Sequence, residues 1–126
     1  MSVDDRLHEL GIVLGDPLPS VGNYIGAVTV GNLVFLSGHG PRETEEPVEG
    51  KVGETLTLEQ GQQAVRNAGL NMLATLKAEI ENLDRVRRVV KVLGMVNAVP
   101  DFREHPKVIN GFSDLMTMSR VVALRP

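Results

Sequence analysis

The run Ser37-Gly38-His39-Gly40 places a hydroxyl and an imidazole two positions apart between glycines. A serine near a histidine invites nucleophilic catalysis, and a glycine-rich turn invites phosphate binding. Neither pattern is complete. The run is not a nucleophile elbow, and it lacks the Gly-Lys-Ser/Thr of a phosphate loop. The simpler reading is a strand terminus with glycine turns. The other histidines, His8 and His105, stand far from it in sequence, and none of the three has the three- or four-residue spacing of helical metal ligands. His8 and His105 read as surface or capping residues. With no cysteine, thiolate nucleophiles, disulfides and cysteine-based zinc sites are excluded. Neither a metal nor a cofactor is expected, and the lack of cysteine fits a cytoplasmic protein.

Charge is the second source of chemistry. The stretch Asp84-Arg85-Val86-Arg87-Arg88-Val89-Val90-Lys91 carries four basic residues, a possible nucleic-acid patch. The whole chain has a net charge of −3, one tyrosine, three phenylalanines and no tryptophan. It therefore lacks both the long-range attraction and the stacking platform that single strands need. Solvated arginines at a strand start are the better reading. Glu43, Glu45, Glu46 and Glu49 make an acidic loop, again read as solvated rather than as a buried acid–base pair. Met72, Met95, Met116 and Met118 read as packing residues.

The elements that must position these residues follow from periodicity. Asp4 to Leu10 predicts a short helix capped by Asp4, with Leu7 and Leu10 on one face. Tyr24–Val30 and Leu33–Ser37 predict a β-hairpin around Gly31-Asn32, residues that tolerate the positive φ of a tight turn. Gly38 to Thr55 reads as a long surface loop, either functional or holding short ordered pieces. Thr57-Leu58-Glu59-Gln60 is a capping box, and Val65, Ala68, Met72, Leu73, Leu76 and Ile80 recur at helical spacing after it. Gly61 and Gly69 weaken this helix by ~1 kcal/mol each, and Gly69 invites close approach of a sheet. Val86 to Val96 predicts a strand apolar on both faces. His105-Pro106 opens a second long helix whose stripe is Val108, Ile109, Phe112, Leu115 and Met116. Only Arg120 to Leu124 remains to supply a further strand.

These elements predict one α+β domain over residues 1–126, a hairpin–α–β–α arrangement with a mixed sheet and two helices on one face. No apolar run is long enough to span a membrane, and the polar, acidic start is unlike a secretory signal. Two helices cover only one face of a small sheet. The other face needs a partner, which predicts a homo-oligomer built through the sheets.

Several segments together resemble the RidA (YjgF-like) family. They are Gly22-Asn23-Tyr24, Gly31-Asn32-Leu33-Val34-Phe35-Leu36-Ser37-Gly38, Gly69-Leu70-Asn71-Met72-Leu73-Ala74, Leu83-Asp84-Arg85-Val86, Val89-Val90-Lys91-Val92, Asp101-Phe102 and Val108-Ile109-Asn110-Gly111. The ordered set covers residues 21–116 and leaves 117–126 as an atypical tail. The longer start and Asn97–Phe102 are similar to a divergent branch of the family. The resemblance implies a chorismate-mutase-like fold, a homotrimer and ligand clefts between subunits. It implies binding of a small carboxylate metabolite and hydrolysis of 2-imino acids, or their enamine tautomers, to 2-keto acids and ammonia. It further implies substrate-binding roles for Tyr24, Ser37, Gly38, His39 (where glutamine is common) and Asn110. Arg120 is the counterpart, by residue type and rough order, of a family arginine that pairs with the substrate carboxylate. No acidic residue follows Asp114, so the family's water-activating glutamate has no counterpart. That departure opens an alternative, a non-catalytic binding or regulatory trimer. A ribonuclease or translation inhibitor is a third reading, opposed by charge and aromatic content.

Overall fold

The computed structural model describes residues 1–20, 22–42, 44 and 48–121. Its elements are α1 (Val3–Glu9), β1 (Ala27–Val30), β2 (Leu33–Leu36), α2 (Leu58–Ile80), a 3-10 turn (Leu83–Arg85) and α3 (His105–Met118). The class is α+β, as the sequence pattern predicts.

The hairpin pairs β1 with β2 antiparallel, in the register Ala27–Leu36, Val28–Phe35, Thr29–Val34 and Val30–Leu33. Gly31 takes the turn's positive φ of 61°, and Asn32 does not need one, the pattern of a two-residue turn with glycine first. Because partners across a ladder share a face, Val28, Phe35, Val30 and Leu33 stand together on one side. All four are exposed. The opposite side meets α2, where the Thr29 hydroxyl donates to Glu79 at 2.6 Å.

Both long helices begin and end as their sequences dictate. Thr57 accepts from the Gln60 N–H, and Gln60 returns a bond to the Thr57 N–H, which closes the capping box. The chain leaves α2 through Glu81 at φ 68°. Pro106 occupies the first turn of α3, where its missing N–H costs nothing. The short helix is capped by Ser2 rather than Asp4. The Ser2 hydroxyl accepts from the Asp5 N–H, and the Asp5 carboxylate accepts from the Ser2 N–H, a box that starts the helix at Val3. The Val3 N–H donates to Asp84 at 2.8 Å, which fastens α1 to the 3-10 turn.

The core lies among helices. Val3, Leu7, Leu73, Leu83, Leu115 and Met116 pack into one cluster. Val52, Leu56 and Val108 form a second, with Val96 and Ala98 against it. Here three expectations are corrected. First, α3 packs on α2 and makes no contact with the strands, so a single helix backs the hairpin. Gly69 accordingly meets α3, where an added Cβ would lie 2.9 Å from Leu115 Cδ2, and not a sheet. Second, among the described residues the only sheet is the two-stranded hairpin. Third, Val86–Val96 joins no ladder and is largely bare: Val90 is 74%, Leu93 77% and Met95 85% exposed. Among its described residues the long loop holds Val52, which forms bridges to Leu56 and to Ala98. Glu43, Glu45 and Glu46 of the acidic loop, and Val122 to Leu124 of the last possible strand, lie outside the described residues.

Candidate functional site

The best-defined polar structure sits where β2 runs out. The Ser37 N–H and its hydroxyl both donate to the Gly26 carbonyl, at 3.0 and 3.2 Å. The chain then crosses α2, which holds it with side chains one turn apart. Thr75 Oγ1 lies 2.8 Å from His39 Nε2. Asn71 Nδ2 donates to the Gly40 carbonyl at 3.2 Å. Asn67 Oδ1 accepts from the Arg42 N–H at 2.7 Å. With Glu79 on Thr29, the positions 67, 71, 75 and 79 recur every four residues and form one continuous polar stripe along α2. This stripe fixes both the hairpin and the segment after it.

The imidazole roles follow from the partners. His39 Nδ1 is 2.7 Å from the Ser37 carbonyl, which can only accept, so Nδ1 carries the proton. In the neutral ring Nε2 then accepts from the Thr75 hydroxyl. His39 faces the carbonyl of Ser37 and not its hydroxyl, and that hydroxyl is spent on a backbone oxygen. The pair is therefore no serine–histidine dyad. What the arrangement can do is hold a hydroxyl with free lone pairs, and an adjoining glycine, at a fixed place on the rim of the hairpin.

The remaining predicted residues are dispersed. Tyr24 is exposed just ahead of β1, its ring beside Gly22. Asn110 is exposed on α3, away from the hairpin. Arg120 follows α3 at φ 63°, with Nη1 directed to Met1 Sδ at 4.0 Å on the α1 side. One chain thus gathers Ser37, Gly38 and His39, and does not bring Asn110 or Arg120 to them. The sequence reading missed Asn67, Asn71 and Thr75. The signal was there: Asn71 and Thr75 are polar residues one turn apart within the buried face of α2. Among the described residues two groups have displaced pKa values, both elsewhere. The Ser2 N–H holds the Asp5 carboxyl below its ordinary value, and the Glu104 carboxylate raises Lys107. Among the described residues no cluster of three metal-ligating side chains occurs, and no helix is long and apolar enough to cross a membrane.

Residues 4–122 match the family model described as "YjgF/chorismate mutase-like, putative endoribonuclease". The chain belongs to the YjgF/chorismate mutase-like family. Protein TCP17 of Trypanosoma cruzi is 37% identical over 112 residues, covering 88% of this chain and 70% of that protein. A Shewanella oneidensis protein whose crystal structure is titled "putative endoribonuclease" superposes with a TM-score of 0.88 at 30% identity, over 95% of this chain and 80% of that one. Protein Atu1372 of Agrobacterium tumefaciens, described as of unknown function, superposes with a TM-score of 0.78 at 35% identity, over 94% and 72% of the two chains. The YjgF-like fold therefore extends across nearly the whole chain, including the hairpin end that carries Ser37 and His39.

Proposed function

We propose that this chain binds a small carboxylate-bearing metabolite in clefts between copies of itself, as a cytoplasmic homotrimer. We further propose that its reaction is hydrolysis of 2-imino acids, or their enamine tautomers, to 2-keto acids and ammonia. The observation that carries the reading is the apolar outer face of the hairpin, Val28, Val30, Leu33 and Phe35, together with the bare side chains of Val90, Leu93 and Met95. A monomer rarely leaves such surfaces in water, and contiguous ones mark association. Association through the hairpin also buries its rim. Tyr24, Ser37, Gly38 and His39 then face a neighbour, and Asn110 and Arg120 join them from another copy. In that cleft water adds to the C=N carbon, the C–N bond breaks and ammonia leaves. Tyr24 and Ser37 orient the water, and the guanidinium takes the carboxylate.

The test measures mass by light scattering and ammonia release from freshly generated 2-aminoacrylate. The expected result is three times the 13.7 kDa chain mass and release faster than in buffer, with both lost in Leu93→Asp. A single-chain mass at micromolar concentration refutes the cleft. A trimer that does not accelerate release leaves the non-catalytic binding reading. The endoribonuclease role attached to the family and to the Shewanella relative raises an RNA substrate, which the net charge of −3 opposes. RNA binding that survives moderate salt would restore it.

A further inference from the structure

A second polar feature lies on the helical side of the molecule, on elements the hairpin rim does not include. Where α3 crosses α2, Gly111 rests directly on the Gln62 carbonyl. The helices diverge beside that contact and leave a groove of about 230 Å³. Its floor includes the buried Leu115, with the half-exposed Met118 beside it. One wall carries Arg66 and Gln63 from α2, and the other carries Asp114 from α3.

The two charges lining this groove do not pair with each other. Gln62, next to them, spends its amide on the Lys107 carbonyl at 2.7 Å. Among the described residues, Arg66 makes no side-chain hydrogen bond and no ion pair, and neither does Asp114. The three ion pairs among the described residues join Arg6 to Glu9, Lys77 to Asp4 and Lys107 to Glu104. A guanidinium and a carboxylate thus line one cleft and stand more than 4 Å apart. Had they met, they would cancel and the groove would be inert. Held apart, they offer a cation and an anion at once, over an apolar floor.

We infer that this groove binds a free α-amino acid with an aliphatic side chain. Such a ligand carries a carboxylate and an ammonium on adjacent atoms, and it can address both walls together. Its carboxylate lies on Arg66, whose planar fork suits that geometry. Its ammonium lies toward Asp114, and its side chain covers Leu115 and Met118. A plain carboxylic acid leaves Asp114 unanswered, and a plain amine leaves Arg66 unanswered. The groove is an independent site, because no residue in it belongs to the hairpin rim.

The probe is L-leucine, titrated into the isotope-labelled full chain and followed by backbone amide shifts. Saturable shifts are expected in α2 and α3 around Arg66 and Asp114, and Ser37→Ala should leave them intact. Isovalerate and isopentylamine, which each retain one charge, should bind at least about tenfold more weakly. Arg66→Gln and Asp114→Asn should weaken leucine by a similar factor, with circular dichroism unchanged. Three results overturn the assignment: no saturable shifts, isovalerate binding as tightly as leucine, or either folded variant binding leucine like the unsubstituted protein. Loss of leucine binding in Phe35→Asp, on the exposed outer face of the hairpin, would overturn the independence of the two sites.

Discussion

Replacing Gly111 with alanine tests the helix crossing on which the whole helical layer rests. Alanine is a better helix former than glycine by ~1 kcal/mol, so propensity alone predicts a more stable protein. Packing predicts the reverse. The new Cβ would lie on the Gln62 carbonyl oxygen, 3.0 Å from its carbon and 3.2 Å from the Arg66 amide nitrogen. All three obstacles are backbone atoms inside α2, so no rotamer change relieves them. The helices must separate, and Val108 and Leu115, both nearly inaccessible to solvent, must lose contact with their neighbours. Overpacking a well-filled interface costs ~1–3 kcal/mol, and a clash with backbone belongs at the upper end. The net expectation is a loss of about 2 kcal/mol, since the steric cost of ~3 outweighs the propensity gain of ~1. Urea denaturation of Gly111→Ala measures it. Ser113→Ala, on the exposed face of the same helix, reports propensity without the clash and should lie within about 0.5 kcal/mol of the parent. Gly111→Ala matching or exceeding the parent's midpoint would refute the close crossing, and with it the groove it frames.

Two further expectations concern the polar contacts. Thr75→Val keeps the shape of the buried side chain and removes the donor to His39 Nε2, so it should cost about 1–2 kcal/mol in denaturation and broaden amide signals from Ser37 to Arg42. Asp5 has a carboxyl pKa below its ordinary 3.8, because the Ser2 N–H favours the ionised form. Its capping contribution is therefore complete above the unfolded value and is lost as the pH falls through the lower folded value. The difference in stability between the parent and Asp5→Ala should accordingly be constant near neutral pH and shrink on acidification below about pH 4; a pH-independent difference would show that the carboxylate is not the group at work.

The elements whose signals are local were readable in the sequence. Thr57 and Gln60 define the start of α2, Pro106 opens α3, and Gly31 sets the hairpin, because each depends on neighbours within a few residues. Asp4 was a plausible cap for α1, but a box needs both partners three apart, and only Ser2 with Asp5 closes one. The strand expected at Val86–Val96 failed for a different reason. Its apolar content is real, yet a strand is defined by what pairs with it, and residues 27–36 already pair with each other. Gly69 likewise announced a close approach without saying to what.

At the hairpin end the same logic separates what one chain fixes from what it leaves open. Ser37 and His39 could be picked out by type, but their roles turn on Gly26 and Thr75, 11 and 36 residues away. Those contacts disarm the pair as a nucleophile and turn it into a rigid support. The α2 stripe of Asn67, Asn71, Thr75 and Glu79 is thus a scaffold, made by contacts within the chain itself. The outer face of Val28, Val30, Leu33 and Phe35 is the opposite case: its side chains meet one another across the ladder and are otherwise exposed. A chain that spends its polar groups fastening the rim from behind, and leaves apolar side chains in front, has a rim already shaped for association. Under the proposed assembly, a ligand at this rim would meet a preorganised wall on one side and the wall of another copy on the other.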